Sequence, residues 1–326
     1  MLYRIWFERP LPAQYHALLD DIAIPVSWDK TSSVTLASTL VGVDAIVASS
    51  RIRYDGAFMD QVPTLRVISR TGIGVDNISI QDATDRGIAV CNSPDGPSAS
   101  TSEHAILLML ACMKHLNRWS KVLALGESHD YFNEYQGMQA EGLRLGVVGL
   151  GRIGRRVAKI AQSLGMEVLG YDPYVSRESA VEWGVALYDS LDAMLPLADV
   201  VSLHLPINES TYRLFNKERL ALMKRGAVLV NTARGQLVDE HALLNALETG
   251  HLSGAGLDVF DPEPPLSSNP LLHLDCVIAT PHIGGVTIAS KDRLWREAIG
   301  QALQLLRGER PLNLVNAEVW HQLKRL

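Results

Sequence analysis

Short apolar runs separated by polar segments rich in glycine and proline recur along the whole chain, at the length of strands rather than of membrane spans. Residues 2–7, 45–48, 66–69 and 88–91 predict strands by their length and β-branched content, with helices over 32–40 and after Asp55. This alternation makes a small α/β domain, and the breaker cluster Pro94-Asp95-Gly96-Pro97-Ser98 is its natural exit. Ser98 to Ser102 then offer N-caps to a long helix reaching Leu125. Its stretch from Ala105 to Ala111 is apolar on nearly all sides, so it is expected to be buried, either against the next domain or in a subunit contact.

Residues 126–142 are polar and carry no periodic signal. From Leu143 the alternation resumes: strands over 143–148, 166–171, 199–203, 227–230, 255–259 and 277–279, and helices over 155–164, 239–248 and 287–306, each ending near a glycine. No internal repeat is present. One α/β region therefore precedes another, and the pattern predicts a nested layout in which the chain leaves the first domain, builds a second, and returns. The expected boundaries are residues 1–98 with 287–326, and 99–286.

The first strand of the second region runs directly into Gly149-Leu150-Gly151-Arg152-Ile153-Gly154, a helix follows, and the next strand closes on Asp172, 18 residues past Gly154. A bare G-x-G-x-x-G carries little weight. In this context it predicts a dinucleotide cradle. Gly149 permits the tight turn, Gly151 lets the backbone approach a pyrophosphate, and Gly154 lets the helix pack close on the sheet, presenting its N-terminus to phosphate. Asp172 is suited to the ribose hydroxyls and would repel a 2′-phosphate, which favours NAD over NADP; Arg177 is the alternative, as a partner for such a phosphate.

Composition narrows the classes. With 326 residues, 47% hydrophobic and 20% charged, the chain fits a folded protein of two domains. A net charge of −6 without a local Lys/Arg run gives no footprint for nucleic acid. No stretch has signal-peptide or membrane-spanning character, so neither a membrane association nor export is expected. Cys91, Cys112 and Cys276 are odd in number and lack C-x-x-C spacing; they read as reduced, mostly buried thiols of a cytoplasmic protein. No His or Cys cluster has metal spacing, and no metal is expected.

Three stretches follow the later strands, where ligands collect in doubly wound sheets: Asn231-Thr232-Ala233-Arg234-Gly235, Asp258-Val259-Phe260-Asp261-Pro262-Glu263-Pro264, and Pro281-His282-Ile283-Gly284-Gly285. Each alone is weak. An Arg, a Glu and a His at the same sheet edge carry more. These motifs, with Val147-Val148 before the glycine turn, Ala255-Gly256-Leu257 before Asp258, and Arg70-Thr71-Gly72-Ile73-Gly74-Val75-Asp76-Asn77-Ile78 in the first domain, resemble the D-isomer-specific 2-hydroxyacid dehydrogenase family. The pattern is most similar to its phosphoglycerate dehydrogenase and hydroxypyruvate/glyoxylate reductase branch, and it covers residues from about 40 to 316.

The resemblance implies a Rossmann NAD-binding domain nested within a flavodoxin-like substrate domain, and an NAD-dependent oxidoreductase acting on a small D-2-hydroxy acid or its 2-keto acid as a homodimer. It makes Arg234, Glu263 and His282 catalytic. A guanidinium suits a carboxylate beside a carbonyl, an imidazole can give the alkoxide its proton near neutral pH, and a carboxylate on that imidazole would orient it and favour its charged form. Backbone N–H groups of Ile73 and Gly74 are implied at the substrate carboxylate. The cofactor set comprises Gly149, Gly151, Arg152, Ile153, Gly154, Asp172, Pro206, Thr232, Ala233, Asp258 and Gly284. Within it Asp258 accepts from the carboxamide and Pro206 touches the adenine end, while His204 is read as a wall.

Residues 131–141 depart from the family pattern in lacking its tryptophan, and Ala140 replaces its leucine. No regulatory extension is expected after Leu326. Two other readings stay open: an NAD(H)-sensing protein without catalysis, and an enzyme oxidising an inorganic or one-carbon acid.

Overall fold

The computed structural model describes residues 2–28 and 35–323, so the helix expected over 32–40 lies partly outside the described residues. Two compact units form: one from residues up to Pro97 together with those from Thr287 on, the other from Ser98–Val286.

The first unit is a five-stranded parallel sheet of β1 (Tyr3–Phe7), β2 (Ala23–Ser27), β3 (Ala45–Ala48), β4 (Val67–Arg70) and β5 (Ala89–Cys91), in the order β2-β1-β3-β4-β5. That is a flavodoxin-like order, with a switch point between β1 and β3. The unbroken apolar runs follow from burial on both faces. Ile5, Phe7, Ala45 and Val47 point to one core with Ala298, Ile299 and Ala302 of the helix Ile288–Leu306, while Trp6, Ile46, Ala48 and Ile68 point to the other. The chain end returns to this unit, where the buried Asn316 accepts from Val90 N (2.8 Å) and donates to Ile88 O (2.9 Å).

The second unit is a seven-stranded parallel sheet: β6 (Arg144–Val148), β7 (Glu167–Tyr171), β8 (Ala186–Leu187), β9 (Val200–Leu203), β10 (Ala227–Asn231), β11 (Leu252–Leu257) and β12 (Val277–Ala279), ordered β12-β11-β10-β9-β6-β7-β8. This is the doubly wound Rossmann order, reversing between β6 and β9. Leu145, Val147, Val200 and Val228 face one layer, with Ala105, Leu108 and Met109 and the helix Arg152–Ser163. Leu169, Val201, Leu203 and Leu229 face the other, with Met194, Phe215 and Leu243.

The long helix expected to reach Leu125 is two. Ser98–Met113 ends, His115 takes a left-handed φ of 49°, and a second helix runs over Leu116–Leu125. Most of the apolar stretch 105–111 is buried inside the second unit itself, so it supplies no argument for a second subunit; only Leu107 of that stretch is well exposed, at 57%. In the segment without the family tryptophan, Tyr131 and Tyr135 pack edge-on against Trp119 of the second helix. Cys91 and Cys112 are buried and Cys276 is half-buried, all three as free thiols. Among the described residues no helix is long and apolar enough to cross a membrane.

Candidate functional site

The loops that leave the carboxyl ends of the second unit's strands gather the candidate residues at one sheet edge. The glycine turn leaves β6 and the stretch His204-Leu205-Pro206 leaves β9, the strands flanking the order reversal, where ligands settle in open α/β sheets. Gly149 stands at φ 93°, and a Cβ there would lie 2.6 Å from His204 O. Gly154 seats the helix Arg152–Ser163, with Ile153 in its first turn, directly on the turn: a Cβ would fall 1.9 Å from Gly149 O. At Gly151 the contrast is complete. Nothing lies within 4 Å of a Cβ position, and this residue caps the helix with no side-chain hydrogen bond.

Asp172 braces the same turn. Its Oδ2 accepts from Leu150 N (2.8 Å) and its Oδ1 from Tyr174 N (2.9 Å), which leaves lone pairs on both oxygens for a further donor. Arg177 is instead ion-paired with Asp189 on the surface. Pro206 is exposed, and its carbonyl accepts from Thr211 Oγ1 (2.8 Å). Burial pushes the His204 imidazole down to about 3, so it stays neutral near pH 7, beside Ser202 Oγ at 2.9 Å.

Beyond β10, Asn231 shapes the turn that carries Arg234: its Oδ1 accepts from Ala233 N (3.0 Å) and its Nδ2 donates to Arg234 O (2.8 Å). Arg234 Nη1 donates to Ala233 O (2.6 Å). Gly235 then allows backbone contact with the next loop, since a Cβ there would sit 2.1 Å from the Phe260 carbonyl. The Arg234 turn is thereby seated against the loop that runs from Asp258 to Glu263. Thr232 Oγ1 is buried without a hydrogen-bond partner.

Glu263 meets His282 across the β11 and β12 loops, with Oε1 2.5 Å from Nδ1 and both side chains partly exposed. His282 adopts φ 55°, a conformation uncommon outside glycine, and its N–H donates to Asp258 O (2.8 Å). The Asp258 carboxylate, 1% exposed, takes Thr280 Oγ1–H (2.6 Å) and Ile283 N (2.9 Å) on Oδ1 and Gly284 N (2.8 Å) on Oδ2. His104, from the helix Ser98–Met113, reaches the same group: Nε2 lies 2.9 Å from Thr280 Oγ1 and 3.5 Å from Asp258 Oδ1.

Sequence reasoning brought Glu263, His282, Asp258 and Gly284 to one place, and the bonds above join them. Arg234 stands in a neighbouring loop at the same edge. Ile73 and Gly74 lie in the first unit after β4, where Ile73 O accepts from Asn92 Nδ2 (2.8 Å) and Gly72 O from Ser93 N (2.9 Å). His104 was missed, because it sits on a helix whose apolar pattern speaks only of core; its polar neighbours Ser102 and Glu103 were the available signal.

A family model described as D-isomer specific 2-hydroxyacid dehydrogenase, NAD binding domain, matches residues 106–284. The chain is 38% identical over 324 residues to a glyoxylate reductase of Thermofilum pendens, covering 97% of this chain and 95% of that one. It is 40% identical over 281 residues to a D-3-phosphoglycerate dehydrogenase of Methanocaldococcus jannaschii, covering 86% of this chain but 53% of that one. It thus spans about half the length of the phosphoglycerate dehydrogenases it matches. A crystal structure of D-lactate dehydrogenase from Aquifex aeolicus, complexed with NAD and lactic acid, superposes with a TM-score of 0.85 at 32% identity, covering 96% of this chain and 99% of that one.

Proposed function

Because the chain belongs to the D-isomer specific 2-hydroxyacid dehydrogenase family, we propose that it is an NAD-dependent oxidoreductase acting on a small D-2-hydroxy acid or the corresponding 2-keto acid. The observation that carries this reading is the Glu263–His282 hydrogen bond at the carboxyl edge of a dinucleotide-type sheet, with Arg234 on a neighbouring loop. The site fits the cofactor on three counts: open space at Gly151, a helix N-terminus whose N-cap residue brings no side chain, and an orphaned Thr232 hydroxyl. Its nicotinamide, when bound, supplies or takes up the hydride.

The side chains do the rest. Arg234 binds the carboxylate of the acid and polarises its carbonyl. His282 is engaged by Glu263 through Nδ1, so Nε2 is the nitrogen that gives the alkoxide its proton, or takes it in the oxidising direction. Glu263 holds the ring in that tautomer and orientation. Asp258 keeps a lone pair on Oδ2 that we assign to one carboxamide N–H, and Ala233, Gly284, Arg152, Ile153 and Pro206 complete the cofactor contacts we assign. The amides of Ile73 and Gly74 are our assignment for the substrate carboxylate.

The test is a panel of 2-keto acids, glyoxylate and hydroxypyruvate among them, followed by loss of NADH absorbance, with phosphite and formate run against NAD. Consumption of NADH with a keto acid is expected. Silence toward every acid with NADH binding retained would replace this reading by an NAD(H) sensor.

The same assay addresses cofactor choice. Asp172→Ala should weaken NAD binding and narrow the preference over NADP, because it removes an acceptor for the ribose hydroxyls and a charge that repels a 2′-phosphate. An unchanged ratio of kcat/KM for the two cofactors would take Asp172 out of that role.

A further inference from the structure

The contacts of Asp258 contain a proton-ordering chain. An ionised carboxylate only accepts hydrogen bonds, so the 2.6 Å contact between Thr280 Oγ1 and Asp258 Oδ1 commits the single hydroxyl proton of Thr280 to Asp258. Thr280 Oγ1 is then left with lone pairs alone. His104 Nε2, 2.9 Å from that oxygen, must carry a proton and donate it. The order of donation is therefore His104 to Thr280 to Asp258.

Asp258 in turn secures the segment that bears His282. Its carboxylate holds the amides of Ile283 and Gly284, and its backbone carbonyl takes the amide of His282 itself. His282 needs that anchoring, since a left-handed φ of 55° is unfavourable for a side-chain-bearing residue. The packing leaves no slack. A Cβ on Gly284 would come 2.9 Å from Asp258 Oδ2 and 3.2 Å from His104 Cδ2, so a glycine is required for the loop to pass between them.

We propose that His104 is a positioning residue of this active site, acting through Thr280 to keep Asp258 ionised and aimed at the backbone that carries His282. The proposal rests on the oxidoreductase reading above for its catalytic consequence. Its structural half, the state of Asp258, is independent of any reaction. Burial pushes the Asp258 carboxyl up, and its interactions with His104, Thr280 and the amides of Ile283 and Gly284 outweigh it, holding the group below the usual carboxylate range. His104 is the titratable side chain that faces Asp258 from the helix; Thr280 and the backbone of residues 282–284 face it from the β12 loop, and Asn231 O accepts from Asp258 N (2.9 Å) on the β10 side.

The sign of the pH effect follows. A carboxyl whose folded value is lowered contributes stability that is present above its unfolded value of about 3.9 and is lost as the pH falls through the folded value. Replacing His104 by a ring that cannot donate raises the folded value and shrinks that contribution. His104→Phe should therefore lower the stability of the cofactor-free protein at pH 7, and the gap to the wild type should narrow as the pH falls through the carboxylate range to below the unfolded value of about 3.9, measured by urea unfolding across that range. A packing defect alone would leave the gap constant with pH, and that result would overturn the proposal.

The catalytic arm uses keto-acid reduction, in which the protonated form of His282 is the active one. His104→Phe should reduce kcat roughly 10–100-fold, the scale on which a small misplacement of a reacting group costs rate, with a smaller change in the KM for NADH. Its low-pH limb should move upward. His104→Gln, which can still donate to Thr280, should restore most of both. In a Thr280→Val background His104→Phe should produce little further shift of the limb, and an undiminished shift there would refute the route through Thr280. If the wild type reduces no acid, the oxidoreductase reading falls while the unfolding arm still decides the state of Asp258. If it reduces one and the limb stays put in His104→Phe, the positioning role falls alone.

Discussion

Replacing His282 by glutamine should cut turnover by roughly 10²–10⁴ while leaving NADH affinity close to the wild-type value, the usual scale for loss of a general acid. Glutamine keeps the approximate reach of the imidazole and can donate to Glu263, so the orientation imposed by the 2.5 Å contact is largely retained. What it lacks is an exchangeable proton of suitable affinity. The loss should therefore fall on kcat for the acid and not on the cofactor, whose assigned contacts centre on the glycine turn and Asp172. Steady-state kinetics in both directions, paired with NADH fluorescence titration, check it. Turnover near the wild-type level would remove His282 from its role. Weakened NADH binding of the same size would mean instead that the loop over residues 280–285 had collapsed, a risk because His282 stands at φ 55° and glutamine tolerates that conformation less readily than asparagine does.

The parts of this molecule that were legible in its sequence are those in which one physical signal dominates. β6, β7 and the turn between them were readable because continuous burial, a glycine obliged to take positive φ and a strand-ending acid all fall within about thirty residues. β2 escaped notice: it is a sheet-edge strand with mostly exposed side chains and a proline at position 25, which an edge tolerates and a pattern search rejects. β11 was displaced in the reading, expected over 255–259 and found at Leu252–Leu257, because Gly254 and Gly256 weaken the strand signal. Those glycines are there for packing; a Cβ on Gly256 would fall 2.7 Å from the Cβ of Leu108. The break at His115 could not be read, since a single left-handed residue leaves the helical pattern on either side intact. His104 was hidden for a related reason. Its partners Thr280 and Asp258 are 176 and 154 positions away, and only the sheet topology brings the start of one helix to the end of β11 and β12. Local residue types reveal which chemistry is present, whereas the groups that hold it in place are chosen by contacts that no window along the chain contains.

The glycine turn offers the sharpest separation of fold from binding, through two alanine substitutions three residues apart. Gly154→Ala should both destabilise the protein and abolish measurable NADH binding. A Cβ there would sit 1.9 Å from Gly149 O, with Gly149 C at 3.1 Å and Val147 Cγ1 at 3.2 Å, and the first two of these are backbone atoms that no rotamer change can clear. The helix Arg152–Ser163 would have to lift from the sheet, at a cost of roughly 1–3 kcal/mol or more for overpacking. Its N-terminus would move away from the position we assign to the pyrophosphate, and the contact of Leu150 N with Asp172 would be strained with it. Gly151→Ala should behave differently. Its backbone, at φ −70° and ψ −161°, is open to alanine, and nothing lies within 4 Å of the new methyl group. Stability should be little changed, since the gain of up to about 1 kcal/mol through the unfolded chain is offset by the poorer fit of alanine at an N-cap. NADH affinity should nevertheless fall at least ten-fold, because the methyl group occupies the space into which the phosphates must come. Thermal unfolding without cofactor and fluorescence titration with it measure both quantities on the same samples. Equal NADH affinity in Gly151→Ala and the wild type would mean that the phosphates do not approach Gly151, and its assignment as a cofactor contact would fall.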